Sequence, residues 1–339
     1  MKLGPIDRLY LIGGGRTLFE FAKTLNDKKY QVFVFTSKRH SEEIIDGKNS
    51  LSELLNMFEI SYFIPGDINS DPDFLNNITM NTLGIGFGEV WTFNRQTIDL
   101  FEGRLFDFMC TRLPQYRGGA HYSWQIMRKN RIGACNLQLI NEDMIQGVFD
   151  SGEVIKSKEY LFPESARIPQ DYFEAAVKED DAFLMDFVND IETDRHFTLS
   201  PVPEQFSIYF PRLNTLKHGW IDWSWCTEDI ATFINAFDDP YAGASTYLDG
   251  QCVRLKDVRI EYNDGPFHPF QTGLVYKIND TGIYVASKNG TLIVRSVTDE
   301  KGKEIKNNIG TGRRFFTPRE RIEKSMIFRA DYDAGGLKE

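Results

Sequence analysis

The sequence predicts an α/β fold, in which a mainly parallel sheet with helices on both faces is followed by a smaller β-rich domain. Two features predict it. Apolar runs such as residues 8–12 (RLYLI) alternate with amphipathic helical patterns through the first half of the chain, which is the order of a parallel α/β sheet. From about residue 220 the pattern changes to short alternating strands, with a hairpin signal at Asp249-Gly250.

A proline-rich stretch separates the two patterns. Pro201, Pro203 and Pro211 interrupt a segment without helical or strand periodicity, as is typical of a linker. The predicted units are a first domain over residues 1–200, a linker over 201–219, a small β-rich domain over 220–325 and a tail over 326–339.

The elements of the first domain follow from periodicity and from helix-start residues. Asp71 and Pro72 have the pattern of a helix cap and a first helical residue. Ligands of parallel sheets bind beyond the carboxyl ends of the strands, so the Gly13–Gly15 turn is either a ligand contact or merely a tight turn at that edge. Strand patterns occur at 8–12, 30–35, 60–64, 82–88 and 105–109, and helical patterns at 18–25, 51–58, 71–78 and 169–191.

The charge distribution argues against a nucleic-acid partner. The chain has 339 residues and a formal net charge of −10. Residues 201–339 hold 18 Lys and Arg against 19 Asp and Glu, a charge of −1, so residues 1–200 carry the remaining −9. Neither part has the basic footprint of a nucleic-acid-binding surface, and we expect a small-molecule substrate instead.

Cysteine usage and the absence of long apolar runs predict a cytoplasmic protein with no membrane partner. The four cysteines form no CxxC pair and have no histidine at metal-ligand spacing, so we interpret them as reduced thiols and expect no metal. No signal peptide follows Met1, and no window approaches 18 continuous apolar residues.

One strand and turn stand out as a candidate site. Residues 105–109 (LFDFM) form an apolar run that leads into a turn around Leu113-Pro114, then Arg117-Gly118-Gly119, and then an amphipathic helix. Unpaired N–H groups at such a turn can hold an anion or a developing oxyanion. The strand end itself offers Asp107, Met109 and Cys110 for handling protons.

Several motifs resemble the formyltransferases that use 10-formyltetrahydrofolate. The first domain carries LPQYRGGAHYSWQI at 113–126 and FDSGEVI at 149–155. The segment from 221 (IDWSWCTEDIATF) is similar to the part that follows the linker in methionyl-tRNA formyltransferase and in the sugar N-formyltransferases. GRRFFTPRERIEKS at 312–325 is closer to the sugar-modifying branch.

The resemblance implies a Rossmann-like catalytic domain, a small barrel and one reaction. That reaction moves a formyl group from 10-formyltetrahydrofolate to the amine of a nucleotide-linked amino sugar, and it needs no metal. The resemblance leaves the assembly undecided, with a homodimer as one option.

Two of the three catalytic positions depart from the family pattern. The family has an Asn-x-His at the strand end and a later Asp; these positions fall on Asp107, Met109 and Asp150. Met109 has no titratable proton, and an ionised Asp107 would repel an oxyanion. The alternatives are therefore a degenerate binding protein that kept the pocket, or an enzyme that transfers a different one-carbon or acyl group.

His121 offers a way to restore the lost proton transfer. It lies at a helix N-terminus, which favours the neutral, proton-accepting imidazole, and we expect it either to act with Asp150 as a relay or to serve only as a structural residue. Asp107, buried among apolar neighbours and beside a second carboxylate, would then be held protonated and would donate a hydrogen bond as the family's Asn does.

Binding residues are implied at further positions. The loop Phe87-Gly88-Glu89-Val90 matches the family loop that binds the pterin ring, and Met109 would line the same donor pocket. Arg117 either contacts a phosphate or carboxylate or holds its own turn. The substrate-binding candidates are Trp124, Trp220 and Arg313. For each of them the alternative is a packing role or simple exposure to solvent.

Overall fold

A seven-stranded sheet forms the centre of the first domain. The computed structural model describes residues 1–88, 90–141, 152–333 and 336–337. The strand order is β3-β2-β1-β4-β5-β7-β8. The strands are β1 Arg8–Gly13, β2 Val32–Phe35, β3 Ser61–Phe63, β4 Thr82–Phe87, β5 Leu105–Met109, β7 Ile132–Leu139 and β8 Val154–Leu161, with the short β6 Arg117–Gly118 outside this sheet.

The sheet confirms the predicted α/β architecture and adds two antiparallel strands. β1 to β5 are mutually parallel, whereas β7 pairs antiparallel with β5 and β8 antiparallel with β7. β1 lies between β2 and β4, so chain connections leave it in opposite directions. Such a switch point opens a crevice at the carboxyl ends of the strands, where ligands of this fold class bind.

Helices cover both faces of this sheet, as predicted. One face packs against α1, α3 and α7 around Phe106 and Phe187; the other packs against α4 and α5 around Tyr10 and Phe101. Asp71 caps α4 as expected, because its carboxylate accepts a hydrogen bond from the Phe74 N–H, 2.9 Å. The helices of the domain are α1 Gly15–Asp27, α2 Lys38–Ser41, α3 Leu51–Met57, α4 Pro72–Leu75, α5 Arg95–Leu100, α6 His121–Met127 and α7 Pro169–Glu192.

A six-stranded antiparallel sheet forms the second domain, in the order β12-β13-β14-β11-β10-β15. Asp249 and Gly250 both have positive φ and join β10 to β11, as the hairpin signal predicts. A bridge between Leu274 and Arg314 brings the two edges together, so the sheet is barrel-like. Its strands are β10 Ala244–Leu248, β11 Gln251–Glu261, β12 Val275–Asn279, β13 Gly282–Ser287, β14 Gly290–Asp299 and β15 Phe315–Phe316, and its helices are α9 Thr227–Ala236 and α10 Arg319–Ile327.

The predicted linker is a packed segment and not an irregular spacer. It contains β9 Tyr209–Phe210, which pairs with β6, and α8 Thr215–His218. Phe210 stacks on Tyr116 with ring centroids 4.8 Å apart. A terminal pair, β16 Tyr332–Asp333 and β17 Gly336–Leu337, completes the described strands. Within the described ranges no helix is both long and apolar enough to cross a membrane.

Candidate functional site

The carboxyl ends of β1, β4 and β5 meet at one edge of the sheet. Gly13 pairs with Phe87 in the β1–β4 register, and the Gly14 N–H donates to the Phe87 carbonyl, 3.2 Å. β5 ends beside them at Met109. The glycine turn, the predicted pterin loop and the strand with the altered motif therefore share one crevice.

Asp107 lies inside this edge and is 7% exposed. Its neighbours in register are Gly86 on β4 and Gln138 on β7. Gly86 contributes no side chain, so Gln138 is the register neighbour whose side chain can lie beside Asp107.

Sequence reasoning missed Asn136 and Gln138, which complete this face. Asn136 lies directly across from Met109, and Gln138 directly across from Asp107, so all four side chains point to the same side of the sheet. Both amides are buried, at 5% and 0% exposure. Their signal was the alternation of polar with apolar residues in CNLQL at 135–139, which marks a strand with a polar face.

The two buried amides are held by backbone carbonyls. The Asn136 amide donates to the Thr111 carbonyl, two residues beyond the end of β5, and the Gln138 amide donates to the Gly152 carbonyl, 2.9 Å. Asn136 therefore lies over the strand end, next to the position where the family's His is absent. It also lines a cavity of about 220 Å³ together with Leu113, Ser157 and Ser200.

Two predicted site positions lie outside the described residues. Asp150, the expected partner of His121, is one, and Glu89 of the predicted pterin loop is the other. The neighbouring positions of that loop are described: Phe87 is buried, Gly88 has φ +60°, and Val90 is half-buried. Their role in donor binding stays a prediction.

The glycine-bearing turn after β5 does not offer the open amides that the sequence suggested. The Arg117 N–H donates to the Ile208 carbonyl, 3.0 Å, and the Gly119 N–H donates to the Phe210 carbonyl, 2.9 Å. Gly118 has φ +104°, and a Cβ built on it would lie 2.0 Å from the Phe210 carbonyl oxygen. The glycine thus serves the close approach of the linker, and these amides are not free to hold an anion.

Arg117 and Trp124 also contact the linker. Arg117 is buried and forms an ion pair with Glu204, and the Trp124 indole N–H donates to the Pro211 carbonyl, 2.9 Å. Both side chains fasten the turn and α6 to the segment that joins the domains. Contacts of Arg117 or Trp124 with a donor or substrate stay predictions.

His121 is neutral at pH 7, as predicted, but for a different main reason. Burial, followed by the positive charge of Arg212, lowers the pKa of His121 to about 4. Its Nε2 atom is enclosed and has no hydrogen-bond partner among the described residues, while the Gly118 backbone contacts the ring. The helix that begins at His121 spans only seven residues, so burial dominates over the helix N-terminus.

The cysteine nearest the site is an inert thiol. Burial raises the pKa of Cys110 to about 12 and also raises the pKa of Cys135, so neither presents a thiolate nucleophile near neutral pH. Across the described ranges, no three His, Cys, Asp or Glu side chains are grouped so that they could hold a metal ion.

The candidates in the small domain have partners of their own. Trp220 stacks on Tyr247 with centroids 5.4 Å apart, and Arg321 lies over its ring at 5.5 Å. Arg313 forms an exposed ion pair with Asp249. Substrate contacts of Trp220 and Arg313 stay predictions.

Comparison with known proteins agrees with the motifs. Residues 215–309 match the family described as formyl transferase, C-terminal domain. Among curated proteins, the methionyl-tRNA formyltransferase of Clostridium perfringens strain 13 is 20% identical over 237 residues, which is 70% of each chain. That of Syntrophus aciditrophicus is 26% identical over 207 residues, covering 57% of this chain and 58% of the relative.

Solved structures share the fold over most of this chain at low identity. WlaRD, a sugar 3N-formyl transferase crystallised in the presence of dTDP and 5-N-formyl-THF, has a TM-score of 0.61 at 14% identity, over 88% of this chain and 99% of that one. The N-formyltransferase of Helicobacter canadensis, in complex with folinic acid and dTDP-3-aminofucose, has a TM-score of 0.60 at 13% identity, over 86% and 98%. HypX of Aquifex aeolicus with tetrahydrofolic acid has a TM-score of 0.56 at 15% identity, over 87% of this chain and 45% of HypX.

Proposed function

We propose that this chain, which belongs to the formyltransferase family, transfers the formyl group of 10-formyltetrahydrofolate to the amine of a nucleotide-linked amino sugar. The observation that carries the proposal is the crevice where β1, β4 and β5 end, within a fold that matches two sugar N-formyltransferases over nearly their full length. Those two proteins were crystallised with a formylated folate and with dTDP or a dTDP-linked amino sugar.

The reaction asks three things of the site. The amine nitrogen attacks the formyl carbon, and a negative charge develops on the formyl oxygen. The bond from that carbon to N10 of the folate then breaks, and the proton leaving the amine passes to N10. The site must therefore place the amine, stabilise the oxyanion and carry one proton.

Asn136 is the group best placed to stabilise the oxyanion. It is buried and lies beside the end of β5, directly across from Met109, with its amide donating to the Thr111 carbonyl. Its amide nitrogen carries two hydrogens, of which the bond to the Thr111 carbonyl uses one. In this proposal the second hydrogen supplies what the family's strand-end Asn supplies elsewhere, a contribution worth roughly 10²–10³ in rate for one donor.

Proton transfer is assigned to His121. A neutral imidazole can accept the amine proton, and the pKa of about 4 keeps His121 neutral throughout the physiological range. A base with so low a pKa is weak, so transfer through it contributes less than the roughly 10²–10⁴-fold of a well-matched base. The partnership of His121 with Asp150 is part of the proposal.

An amino sugar is favoured over an aminoacyl-tRNA as the acceptor on electrostatic grounds. The chain carries a net charge of −10, and proteins that bind nucleic acid usually present basic patches that neutralise phosphates. A nucleotide diphosphate has only a few charges and needs only local contacts. The curated relatives act on methionyl-tRNA by name, so a direct comparison of the two acceptors belongs to the test.

The second candidate function is a binding protein that no longer catalyses. Asp107 and Met109 favour it, because an ionised Asp107 cannot donate to an oxyanion and Met109 has no titratable proton. Both candidates predict folate binding, and they differ only in turnover.

Calorimetry followed by a turnover assay tests the proposal. The protein is titrated with 5-formyltetrahydrofolate and with amino sugars linked to dTDP, GDP and UDP. The proposal predicts binding of the folate and of at least one nucleotide sugar, and formylation of that sugar when 10-formyltetrahydrofolate is present. Binding of neither ligand class would remove the enzyme and the binding-protein candidates together.

A further inference from the structure

A buried carboxyl group that the proposed reaction does not use lies on the α7 side of the sheet. Asp180, in the middle of α7, is 1% exposed. One of its oxygens accepts a hydrogen bond from the Thr17 hydroxyl, 3.0 Å, and the other accepts from the Cys135 thiol, 3.3 Å. This single side chain therefore joins α1, β7 and α7.

Both partners of Asp180 lie next to parts of the candidate site. Thr17 is in the first turn of α1, directly after the glycine turn at the end of β1. Cys135 precedes Asn136, which lies across from Met109 at the end of β5. Asp180 thus connects the β1 side of the crevice to the β5 side.

A row of aromatic rings makes the same connection through the strands. Phe183, one turn beyond Asp180 on α7, lies 6.2 Å from Phe108 of β5 between ring centroids. Phe108 lies 5.6 Å from Phe87 at the end of β4, and Phe87 lies 6.2 Å from Phe21 of α1. Because packed interiors transmit strain, a shift of α1 relative to α7 displaces the strand ends at which the predicted pterin loop begins.

The lysines that reach α7 from β8 are paired with other carboxylates. Lys158 forms an ion pair with Glu179, 2.6 Å, and Lys156 forms one with Asp190, 2.6 Å. The partners that face Asp180 are therefore neutral groups and two further acids of α7. The titratable side chains among them are Cys110, Tyr122, Cys135, Tyr160, Glu179 and Asp181.

Asp180 itself changes charge near neutral pH. Burial raises its pKa to about 7. Burial also raises the pKa of the tyrosines and thiols that face it, so those groups keep their protons in the same range. A change of pH around 7 therefore changes the charge of the carboxyl group while its hydrogen-bonding partners stay neutral.

The charge state of Asp180 decides how well its hydrogen bonds satisfy it. A neutral carboxyl donates its O–H to the Thr17 hydroxyl and accepts from the Cys135 thiol with its other oxygen. An ionised carboxylate can accept about two hydrogen bonds at each oxygen, whereas each oxygen has one uncharged side-chain donor among the described residues. A buried charge with so few donors is stabilised by water, and water that enters here separates α1 from α7.

We propose that Asp180 is a positioning residue, which holds α1 and β7 at the spacing in which the crevice binds its folate, and which does so only while it carries a proton. The proposal rests on the proposed function for the identity of the ligand. It adds to that function a residue that acts through Thr17 and Cys135 and does not contact the reacting atoms.

The test uses Asp180→Asn, which keeps groups that pair with Thr17 and Cys135 but cannot ionise. Calorimetry measures the Kd of 5-formyltetrahydrofolate from pH 6 to 8.5. We expect wild-type affinity to be constant up to about pH 7 and to fall by about 10-fold at pH 8.5, since one linked proton changes affinity by at most tenfold per pH unit. Asp180→Asn should keep the wild-type pH 6 affinity throughout; an equal fall in both proteins would overturn the proposal.

Asp181→Asn is the matched control. Asp181 accepts from the Thr24 hydroxyl, 3.2 Å, in the same pair of helices, but Thr24 lies seven residues, about 10 Å, further along α1 from the crevice. This variant should keep the wild-type pH profile. Loss of the pH dependence in Asp181→Asn as well would show that general packing of α1 on α7 controls binding, which contradicts the assignment to Asp180.

Nuclear magnetic resonance without ligand separates failure of this proposal from failure of the proposed function. The amide resonances of Thr17, Cys135 and Phe87 are followed from pH 6 to 8.5 in the ¹⁵N-labelled protein. All three should shift with a common midpoint near pH 7 in the wild type and stay in place in Asp180→Asn, even if no folate binds and the proposed function fails. A Phe87 resonance that stays in place while that of Thr17 shifts would overturn the link between the carboxyl group and the crevice.

Discussion

Asp107 and Asn136 together are the basis for the proposal that the altered strand end stabilises negative charge. Asp107 is buried where the family has an amide, and Asn136 brings an amide to the same face from the neighbouring strand. The strand end is therefore less depleted of hydrogen-bond donors than its own sequence suggests.

Asp107→Asn is the first test at this scale. A carboxamide can donate a hydrogen bond to an oxyanion at any pH, whereas a carboxyl group can donate only while it is protonated. Turnover should therefore be kept or raised, most visibly at alkaline pH. Steady-state rates from pH 6 to 9 with the best acceptor measure this. If the wild-type protein has no turnover and the double variant Asp107→Asn, Met109→His gains turnover, the protein binds its ligands but no longer catalyses.

The imidazole of His121 should gain its proton at a much lower pH than an ordinary histidine does. Because burial and Arg212 lower its pKa to about 4, the ring stays neutral from pH 8 to 5 and gains its proton only near pH 4. A nuclear magnetic resonance titration of the ring, assigned with His121→Asn, checks this directly. The same variant should lose most of kcat with little change in folate affinity; normal turnover by His121→Asn would refute the relay.

Asp180 predicts how stability depends on pH. It is 1% exposed on α7 and accepts hydrogen bonds from Thr17 and Cys135, and burial raises its pKa to about 7. Since this pKa lies above the unfolded value of about 3.9, the folded state loses stability as pH rises from about 4 to 7 and then levels off.

Asp180→Asn removes that ionisation while keeping groups that can bond to Thr17 and Cys135. The variant should gain about 1 kcal/mol or more in free energy of unfolding at pH 8 and little at pH 4. Urea unfolding at both pH values measures it, with Asp280→Asn in an exposed turn as the control. An equal effect of Asp180→Asn at the two pH values would contradict a raised pKa.

At the scale of elements, the contact between β6 and β9 fixes the turn after β5. Gly118→Ala combines a positive φ with a clash of its Cβ against the Phe210 carbonyl, and should cost about 2 kcal/mol or more. Gly47→Ala is the matched control, because Gly47 has φ +81° with nothing near its Cβ position. Urea unfolding and proteolysis of the linker should separate the two; equal stability would show that the contact contributes nothing.

The elements divide into those that local pattern predicts and those that it does not. β5 and α7 were predicted within a residue of their bounds, because periodicity and a helix-start proline are local signals. β7 lay in a clear polar–apolar alternation, yet its pairing with β5 depends on contacts about thirty residues apart in sequence. The docking of β9 on the turn could not be foreseen, since the prolines around it are typical of irregular chain.

The candidate site divides in the same way. Asp107 and Met109 could be placed from their spacing to Leu113-Pro114, whereas Asn136 enters the site only through strand register.

At the scale of the whole molecule, net charge separates the two acceptor classes. A protein with a net charge of −10 should bind methionyl initiator tRNA no better than the weak end of non-specific binding, about 10⁻⁴ M, at physiological salt. Fluorescence anisotropy with labelled tRNA, next to calorimetry with the sugar nucleotides, measures this. Tight, salt-dependent tRNA binding would contradict the amino-sugar acceptor and favour methionyl-tRNA, the acceptor in the names of the curated relatives.

Apolar packing joins the two domains. Trp223 and Phe315 of the small domain share a buried cluster with Tyr122 and Tyr172 of the first domain, so the barrel is packed against α6 and α7. The small domain is therefore held to the first domain by apolar packing.

The most direct test of formyl transfer is a single-vessel reaction followed by mass spectrometry. The wild-type protein is mixed with 10-formyltetrahydrofolate and the amino-sugar nucleotide that binds it most tightly, and the sugar and folate products are counted over time. The account predicts one formylated sugar for each tetrahydrofolate released, with the rate greatly reduced in Asn136→Ala. Binding of both ligands with no formylated sugar above the protein-free control would contradict it.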